Sequence, residues 1–189
     1  MKIKRLFLGG LLASSLLFAG EYQVDTSHSY VGFKIKHLMI SNVKGNFEKF
    51  SGSYNYDEKT NTLKDIVGTI SVDSINTAIQ KRDEHLKSED FFDVKKYPEI
   101  KFKAKKIVGT KIFGTLTMHG VTKDVVLSYE FNGTVKDPQG KMKSALSLNG
   151  TINRKDFNLT YNKVLEAGGV AIGEEVKLEI ELAGVLNTK

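Results

Sequence analysis

Residues 176–184 read VKLEIELAG, and this stretch decides the fold class because its side chains change character at every second position. Val, Leu, Ile, Leu and Gly occupy one face, and charged Lys and Glu residues occupy most of the other. A period of two is typical of a β-strand with one dry face and one wet face. The stretch therefore predicts an antiparallel strand, since parallel strands are buried on both faces and read as continuous apolar runs.

Seven further segments repeat this alternation, and each of them is apolar on one face. They are residues 31–35, 50–56, 66–72, 100–104, 112–118, 125–131 and 146–152. One interval, residues 81–92, is predicted to be helical instead. A single short helix cannot cover the dry faces of eight strands, so the sheet must close as a barrel or pack as a sandwich.

Small residues favour a barrel with space inside it. Five glycines fall in phase with the apolar faces: Gly52, Gly68, Gly114, Gly150 and Gly184. Glycine inside a strand buries no side chain and often marks a bend or the close approach of a ligand. A barrel of about eight strands is wide enough to hold one small ligand. The alternative is that these glycines are corner bends in a solid core.

The first 20 residues, MKIKRLFLGGLLASSLLFAG, have the basic start, apolar middle and small residues of a secretory signal peptide. Their apolar run is shorter than the roughly 20 residues that a spanning helix needs. We expect cleavage after Ala19, which leaves residues 20–189 as one barrel domain in a bacterial periplasm, without stable membrane insertion. An uncleaved N-terminal anchor is the alternative.

Composition and charge narrow the function classes. The 189-residue chain has no Cys, which excludes disulfides, thiolate metal sites and a Cys nucleophile. Three of its 28 Lys and Arg residues lie in the signal peptide, so the formal charge falls from +6 to +3 for the remainder. That remainder has arginine at Arg82 and Arg154 alone, whereas nucleic-acid recognition depends on Arg forks. We expect no nucleic-acid partner.

The sequence carries no catalytic signature. Its histidines, His28, His37, His85 and His119, do not have the spacing of metal ligands. It also has no G-x-S-x-G elbow, no P-loop and no dinucleotide fingerprint. The glycine-rich run at residues 168–173 follows no strand-to-helix transition and predicts a loop. We therefore expect no enzyme activity, no metal and no cofactor.

Two basic–acidic pairs stand out among the polar residues. Arg82 precedes Asp83 at the start of the helical interval, and Arg154 lies two residues before Asp156. An arginine fork that grips a carboxylate fixes a joint in the chain, and we expect this structural role for both. The alternative is that the arginines clamp the head group of a ligand at the barrel mouth.

The order and spacing of several motifs resemble the YceI-like family of periplasmic, lipocalin-like proteins, across essentially the whole chain after residue 20. The motifs are VDTSHS at 24–29, FKIKHLMIS at 33–41, VKGNF at 43–47, SINT at 74–77, RDEHLKSEDFFD at 82–93, YP at 97–98, GTLTMHGVTK at 114–123 and NRKDF at 153–157. Two positions depart from the family pattern. Tyr22 replaces the more usual Trp, and Asn158 replaces a Gly, which puts the local turn in doubt.

The resemblance implies an extended eight-stranded antiparallel barrel that carries a long-chain amphiphile, such as a polyisoprenoid, in its interior. It also implies a homodimer and no established catalysis. We expect thirteen inward residues to bind the lipid: Phe33, Ile35, Tyr54, Ile70, Phe102, Leu116, Met118, Leu127, Tyr129, Phe131, Leu148, Leu178 and Ile180. Each of them could instead be plain core. The apolar clusters at residues 38–40 and 91–92 are candidates for the entrance or a dimer contact.

Two other function classes remain open at this point. The barrel could be a scaffold for a periplasmic interaction protein associated with a membrane redox or stress-response system, without ligand transport. It could also be an enzyme that acts on a bound lipid head group, which would require the cluster around Arg82 and His85 to face the cavity.

Overall fold

The computed structural model describes residues 20–165 and 168–187, so the predicted signal peptide at residues 1–19 lies outside the described residues. Eleven strands, one α-helix and three 3-10 turns follow one another along this part of the chain. The strands are β1 (Gly20–Val24), β2 (Tyr30–His37), β3 (Ser41–Phe47), β4 (Phe50–Asp57), β5 (Thr62–Ser71), β6 (Ile75–Asn76), β7 (Glu99–Val108), β8 (Lys111–Met118), β9 (Val121–Lys136), β10 (Met142–Asn153) and β11 (Ile172–Leu186). The helix is α1 (Gln80–Lys87), and the 3-10 turns are Thr26–His28, Val72–Ser74 and Arg154–Phe157.

Eight of the strands form a closed antiparallel barrel, which confirms the predicted fold class. Their order around the ring is β1-β4-β5-β7-β8-β9-β10-β11, and β11 pairs with β1 to close it. β1 bonds to the C-terminal end of β11, where Val24 faces Gly184. The earlier part of β11 bonds instead to β2, which continues into β3 and β6. The strands β2, β3 and β6 therefore form a three-stranded extension at one end of the barrel.

The number of ring strands agrees with the sequence, but one member differs. The alternating segment at residues 31–35 is β2, which lies in the extension, and β1 completes the ring in its place. β1 reads GEYQV and buries one side chain, Tyr22, so it has too little alternation to be recognised. β3 reads SNVKGNF, whose polar and glycine residues hide its period.

The helical interval is shorter than its prediction of residues 81–92. α1 ends at Lys87, and the following residues 88–94 form turns that fold back on it. Within the described residues, no helix combines the length and the apolar character needed to cross a bilayer. The glycine-rich run at residues 168–173 is a loop only in part, because β11 already begins at Ile172.

One half of the barrel interior is filled with side chains, and we call it the packed half. Its buried cluster consists of Tyr22, Tyr54, Tyr56, Leu63, Ile66, Ile112, Leu127, Tyr129, Leu146, Leu148 and Leu182. Tyr22 stacks on Tyr54 with ring centroids 5.4 Å apart, and Tyr56 stacks on Phe131. These rings bury much more area than aliphatic side chains would, so they fill the space between facing strands.

The other half of the interior is walled by a second cluster, and we call it the hollow half. Its buried members are Val31, Phe47, Val72, Ile75, Ile100, Leu116, Met118, Ile152, Phe157 and Leu159. Leu86 of α1 packs against this cluster, together with Phe92 and Val94 from the segment that follows. The helix therefore covers the hollow half of the barrel.

Four of the five inward glycines do not leave room, so the prediction was wrong for them. The Val67 carbonyl oxygen would lie 2.5 Å from a Cβ at Gly52, and neighbouring side chains take the space at the other three: Phe102 at Gly114, Leu127 at Gly150 and Tyr54 at Gly184. Gly52 and Gly68 face each other across β4 and β5. A Cβ built at Gly68 would have its nearest heavy atom 3.7 Å away, at the Ser51 carbonyl, so space remains beside this residue.

The two departures from the family pattern have local explanations. Asn158 ends the 3-10 turn Arg154–Phe157 with φ 60° and ψ 16°, which is the left-handed region. Glycine adopts that conformation at least cost, and Asn is among the few other residues that visit it. Tyr22 is 1% exposed in the packed half, so the position still holds a buried aromatic ring.

Candidate functional site: the barrel cavity and its mouth

The hollow half contains a cavity of about 160 Å³, which we call the inner cavity. Every strand of the ring contributes to its wall, and Phe33 and Phe47 add to it from the extension. Except for Ser51 and Thr69, the lining residues are apolar or glycine. Four residues of the packed half also border the cavity and form its floor: Ile66, Leu127, Leu148 and Leu182.

A second space of about 280 Å³ lies at the open end of the hollow half, and we call it the mouth cavity. Phe33 and Phe92 line both spaces, so the mouth cavity adjoins the inner cavity. Lys36 and Lys163 on its rim are exposed, which places it at the protein surface. Together the two spaces form a pocket that is apolar in its depth and bordered by cations at its surface.

Alternation along β2 builds a wall that runs from one space into the other. Phe33 and Ile35 point inward and stand opposite Leu178 and Val176 of β11. Gly45 faces Phe33 across the β2–β3 hairpin, and a Cβ there would lie 2.5 Å from the phenyl ring. The glycine is therefore required by the ring that borders both cavities.

The segment after α1 closes the other side of the mouth cavity. The backbone N–H of Phe92 donates to the carbonyl of Leu86 at 3.0 Å, which turns the chain back over the helix. The rings of His85, Phe91 and Tyr161 contact one another there, with centroids 4.9–5.0 Å apart. These contacts set the position of residues 91–92, which both line the mouth cavity.

The apolar cluster at residues 38–40 forms the tip of the β2–β3 hairpin beside the same opening. Leu38 donates from its N–H to the carbonyl of Ala171, a residue of the mouth cavity wall, at 2.8 Å. Leu38 and Met39 have positive φ angles, and Ile40 is 85% exposed. The tip therefore lies at the rim of the pocket.

The hydroxyl groups of the packed half are satisfied within the protein. Tyr54 shares a 2.7 Å hydrogen bond with the Ser144 hydroxyl, and Tyr22 donates to Glu58 at 2.7 Å. The Tyr129 hydroxyl accepts a bond from the Leu63 N–H at 3.2 Å. Burial raises the pKa of Tyr54, and it raises the pKa of Tyr22 with a further contribution from Glu58. These tyrosines are anchors of the core and do not serve as polar groups at the pocket opening.

Ten of the thirteen predicted lipid-binding residues line one or both spaces. They are Phe33, Ile35, Ile70, Phe102, Leu116, Met118, Leu127, Leu148, Leu178 and Ile180. The other three, Tyr54, Tyr129 and Phe131, lie in or against the core of the packed half, away from the cavity walls. They share the inward parity of the lining residues, and parity does not tell at which depth of the barrel a residue lies. Contact with a lipid remains a prediction for all ten.

Neither arginine makes the expected fork with a carboxylate in the described part of the chain. Arg82 donates from Nε to the Thr77 hydroxyl and from Nη2 to the Thr77 carbonyl, both at 2.7 Å. Arg154 is 3% exposed and donates to the carbonyls of Gly173, Leu159 and Ile172. Both arginines fix backbone segments, and both also line the mouth cavity.

Leu159, Tyr161 and Lys163 are among the pocket residues that were not predicted from the sequence. They follow the 3-10 turn in a stretch that belongs to no ladder of the ring. Phe157, Leu159 and Tyr161 nevertheless recur at every second position. That short alternation was the signal that could have identified them.

The histidines are spread over the molecule. His28 bonds to Asp25 and His85 to Asp90, each at 2.9 Å, while His119 contacts the carbonyl of Phe157. Among residues 20–165 and 168–187, no group of three or more His, Asp or Glu side chains is placed to hold a metal ion.

A profile described as the YceI-like domain matches residues 22–183. The chain belongs to the YceI-like family. A UPF0312 protein of Staphylococcus aureus (strain N315) is 39% identical over 160 residues, which cover 84% of this chain and 94% of that protein.

Solved structures of other proteins share the barrel. The crystal structure of the Campylobacter jejuni YceI protein is 41% identical, with a TM-score of 0.70 over 87% of this YceI-like chain and 96% of that one. A polyisoprenoid binding domain from Saccharophagus degradans has a TM-score of 0.59 over 88% of this chain and 98% of that one. Its identity is 16%, so this likeness concerns the fold alone.

Proposed function

We propose that this YceI-like protein is a periplasmic carrier that holds one long-chain lipid, such as a polyisoprenoid. The tail occupies the inner cavity, and the polar end lies in the mouth cavity. The observation that carries the proposal is that an apolar space inside the barrel adjoins an opening bordered by cations. The related fold of a polyisoprenoid binding domain supports the same class of ligand.

The energetics of tail burial support binding without strong polar contacts in the inner cavity. Each buried CH₂ group contributes about 0.8 kcal/mol. A tail of roughly 20 carbons would gain on the order of 16 kcal/mol before association costs of about 4–15 kcal/mol. Such a site selects by length and bulk, because apolar pockets separate near-isosteres poorly.

The decisive experiment is organic extraction of the protein purified from its native host, followed by mass spectrometry. We expect a long-chain species at about one molecule per barrel. Leu116→Trp would place an indole in the inner cavity and should remove that species. Phe113→Trp is the matched control, because Phe113 lies on the outer face of the same strand and is 42% exposed.

Other outcomes would contradict the proposal. A native protein without lipid favours the scaffold function, in which the barrel has no cargo. A lipid that is chemically altered on incubation favours an enzyme. Lipid content that stays the same in a folded Leu116→Trp variant removes the inner cavity as its location.

Export and self-association are further parts of the proposal. The signal sequence at residues 1–19 directs the chain to the periplasm, and the mature protein forms a homodimer. Cell fractionation with N-terminal sequencing tests the first statement, and light scattering on the purified protein tests the second. Retention of residues 1–19 in a membrane fraction would indicate an anchored protein.

A further inference from the structure

Large apolar side chains are exposed at the rim of the pocket, and we call this group the rim patch. Of the ten large apolar side chains that are exposed in the described part of the chain, four lie here: Leu38, Met39, Ile40 and Val164. Ile40 and Val164 are the most exposed of the ten, at 85% each. Single exposed apolar residues are normal, whereas a group of them marks an interaction surface.

Backbone hydrogen bonds hold the two segments of the rim patch side by side. The Leu38 N–H donates to the Ala171 carbonyl at 2.8 Å, and the Ala171 N–H donates to the Lys163 carbonyl at 2.9 Å. Val164 follows Lys163 and forms an antiparallel bridge with Val170. The hairpin tip at residues 38–40 therefore lies beside the segment that carries Val164.

The hairpin tip has large apolar residues where its backbone favours small or polar ones. Leu38 and Met39 have φ angles of 50° and 63°, which lie in the left-handed region. Gly and Asn adopt this region at a lower steric cost, and they are the usual residues of tight hairpin turns. Burial does not offset the cost, since Leu38 is 41% exposed and Met39 is 56% exposed. Folding stability alone therefore does not account for these two side chains.

Exposed lysines flank the rim patch. Lys36 and Lys44 lie on either side of the hairpin tip, on β2 and β3, and Lys163 lies in the neighbouring loop. Among the described residues, none of the three forms an ion pair with a carboxylate. Residues 33–47 contain no Asp or Glu. The loop that carries Lys163 contains one acidic residue, Glu166, which lies outside the described residues.

Apolar side chains flanked by lysines match the chemistry of an anionic lipid bilayer. Apolar side chains enter the boundary between head groups and acyl chains, and the negative surface potential attracts each lysine near it. Lysine side chains can keep their methylene groups in the apolar layer while the ammonium group stays in water. A second copy of this chain fits less well, because a symmetric contact would bring the lysines of the two rim patches together.

We propose that the rim patch docks the protein reversibly on an anionic membrane surface, with the hairpin tip inserted at the head-group boundary. Lys36, Lys163 and Ala171 belong to the wall of the mouth cavity, so docking turns the opening of the pocket towards the bilayer. The inference rests on the proposed function for its purpose, because a carrier has to receive or release its lipid at a membrane. The contact itself requires no bound lipid.

The test is flotation of the delipidated mature protein with vesicles of an equimolar mixture of phosphatidylcholine and phosphatidylglycerol. The wild type should bind these vesicles about tenfold or more tightly than vesicles of phosphatidylcholine alone. The double variant Met39→Asn/Ile40→Asn should bind the mixed vesicles about tenfold more weakly than the wild type, because two apolar side chains no longer enter the bilayer. Asn tolerates the left-handed conformation of position 39, so the hairpin should keep its shape.

Val135→Asn is the matched control for the apolar side chains, because Val135 is 63% exposed at the opposite end of the barrel. It pairs with Lys143 near the start of β10, whereas the end of β10 pairs with Val176 of the mouth cavity wall. This variant should bind vesicles as tightly as the wild type.

A second pair of variants tests the charges. Lys163→Gln should weaken binding to the mixed vesicles about fivefold, as expected for one lysine near the membrane surface. Lys103→Gln removes one positive charge from an exposed position of β7 outside both cavities and should bind like the wild type. Weaker binding of Lys103→Gln, with no effect of Lys163→Gln, would assign the membrane contact to the outer wall of the barrel and overturn the inference.

The remaining outcomes separate membrane docking from the carrier function. A wild type that binds neither kind of vesicle would overturn docking, and the carrier function would stand if the native protein contains lipid. A native protein without lipid that still binds vesicles through the hairpin tip would support docking and contradict the carrier function. A dimer that becomes a monomer in Met39→Asn/Ile40→Asn, with unchanged vesicle binding, would assign the rim patch to self-association and overturn the inference.

Discussion

The packed and hollow halves of the barrel are built from the same alternating strands, yet one is filled with side chains and the other contains a cavity. In the packed half, Tyr54 extends across the interior until its hydroxyl lies over Gly184, where a Cβ would be 2.4 Å away. In the hollow half, Gly68 has no comparable side chain over it, and the nearest heavy atom to its Cβ position is at 3.7 Å. An inward glycine therefore predicts a cavity only where no large side chain faces it.

The largest difference between the halves should be seen in matched leucine truncations. Leu146 is 0% exposed in the packed half, whereas Leu116 borders the inner cavity. Leu146→Ala should lower the free energy of unfolding by about 4 kcal/mol, and Leu116→Ala by about 2 kcal/mol, because Leu116 already lacks neighbours on one side. Denaturant unfolding of both variants measures the difference. Equal losses would mean that the inner cavity collapses around Leu116.

Lipid binding should stabilise the protein, and this gain should depend on the hollow half and not on the packed half. At a free lipid concentration of 100 times Kd, the free energy of unfolding should rise by about 2.7 kcal/mol. Gly68→Leu fills the inner cavity and should abolish that gain, while Leu146→Ala should retain it despite its lower starting stability. Thermal unfolding with and without geranylgeraniol checks both variants. A full gain in Gly68→Leu would place the tail outside the inner cavity.

Two glycine-to-alanine changes compare the halves at the smallest scale of packing. Gly184→Ala places a methyl group against Tyr54 and should cost about 2 kcal/mol of unfolding free energy. Gly68→Ala makes only an ordinary van der Waals contact, 3.7 Å from the Ser51 carbonyl, and should stabilise by about 0.5–1 kcal/mol because it restricts the unfolded chain. Chemical denaturation distinguishes the two. A destabilised Gly68→Ala would indicate that this strand pair needs glycine for its backbone.

The smallest expected effect is a change in stability with pH that arises from a buried tyrosine of the packed half. Burial raises the pKa of Tyr54 above the ordinary value of 10.0, so the unfolded chain loses this proton first as the pH rises. The resulting stability is complete below pH 10 and declines as the pH rises above it. Tyr54→Phe should make the decline shallower. If stability declined equally steeply with pH in the wild type and in Tyr54→Phe, burial of the Tyr54 hydroxyl would not be the cause of the decline.

The sequence was sufficient for the fold class because its strongest signal, alternation, reports directly on which residues face inward. It was weaker where other forces determine the chain path. β1 joins the ring through hydrogen bonds on both sides with a single buried side chain, Tyr22, so its pattern carried little information. Hydrogen bonds to backbone carbonyls also leave no trace in composition, which is why the partners of Arg154 could not be foreseen.

Inward direction was predictable for the candidate site, whereas depth along the barrel was not. Leu116 and Tyr129 share the inward parity, but one faces the inner cavity and the other lies in the packed core. Depth depends on strand register and on the β-bulges, such as the shift between Ala145 and Leu146. Register and bulges are properties of the assembled sheet, so the depth of a residue along the barrel could not be predicted from one sequence.

The floor made by Ile66, Leu127, Leu148 and Leu182 gives the pocket a fixed depth. In the proposed carrier, a tail that passes Phe33 and Phe92 would stop at that floor, and its polar end would lie in the mouth cavity. The protein would then select its ligand by length, because a shorter chain would leave part of the inner cavity unfilled and a longer one would push its polar end out of the mouth cavity. The best ligand is the chain whose span equals the distance between floor and rim.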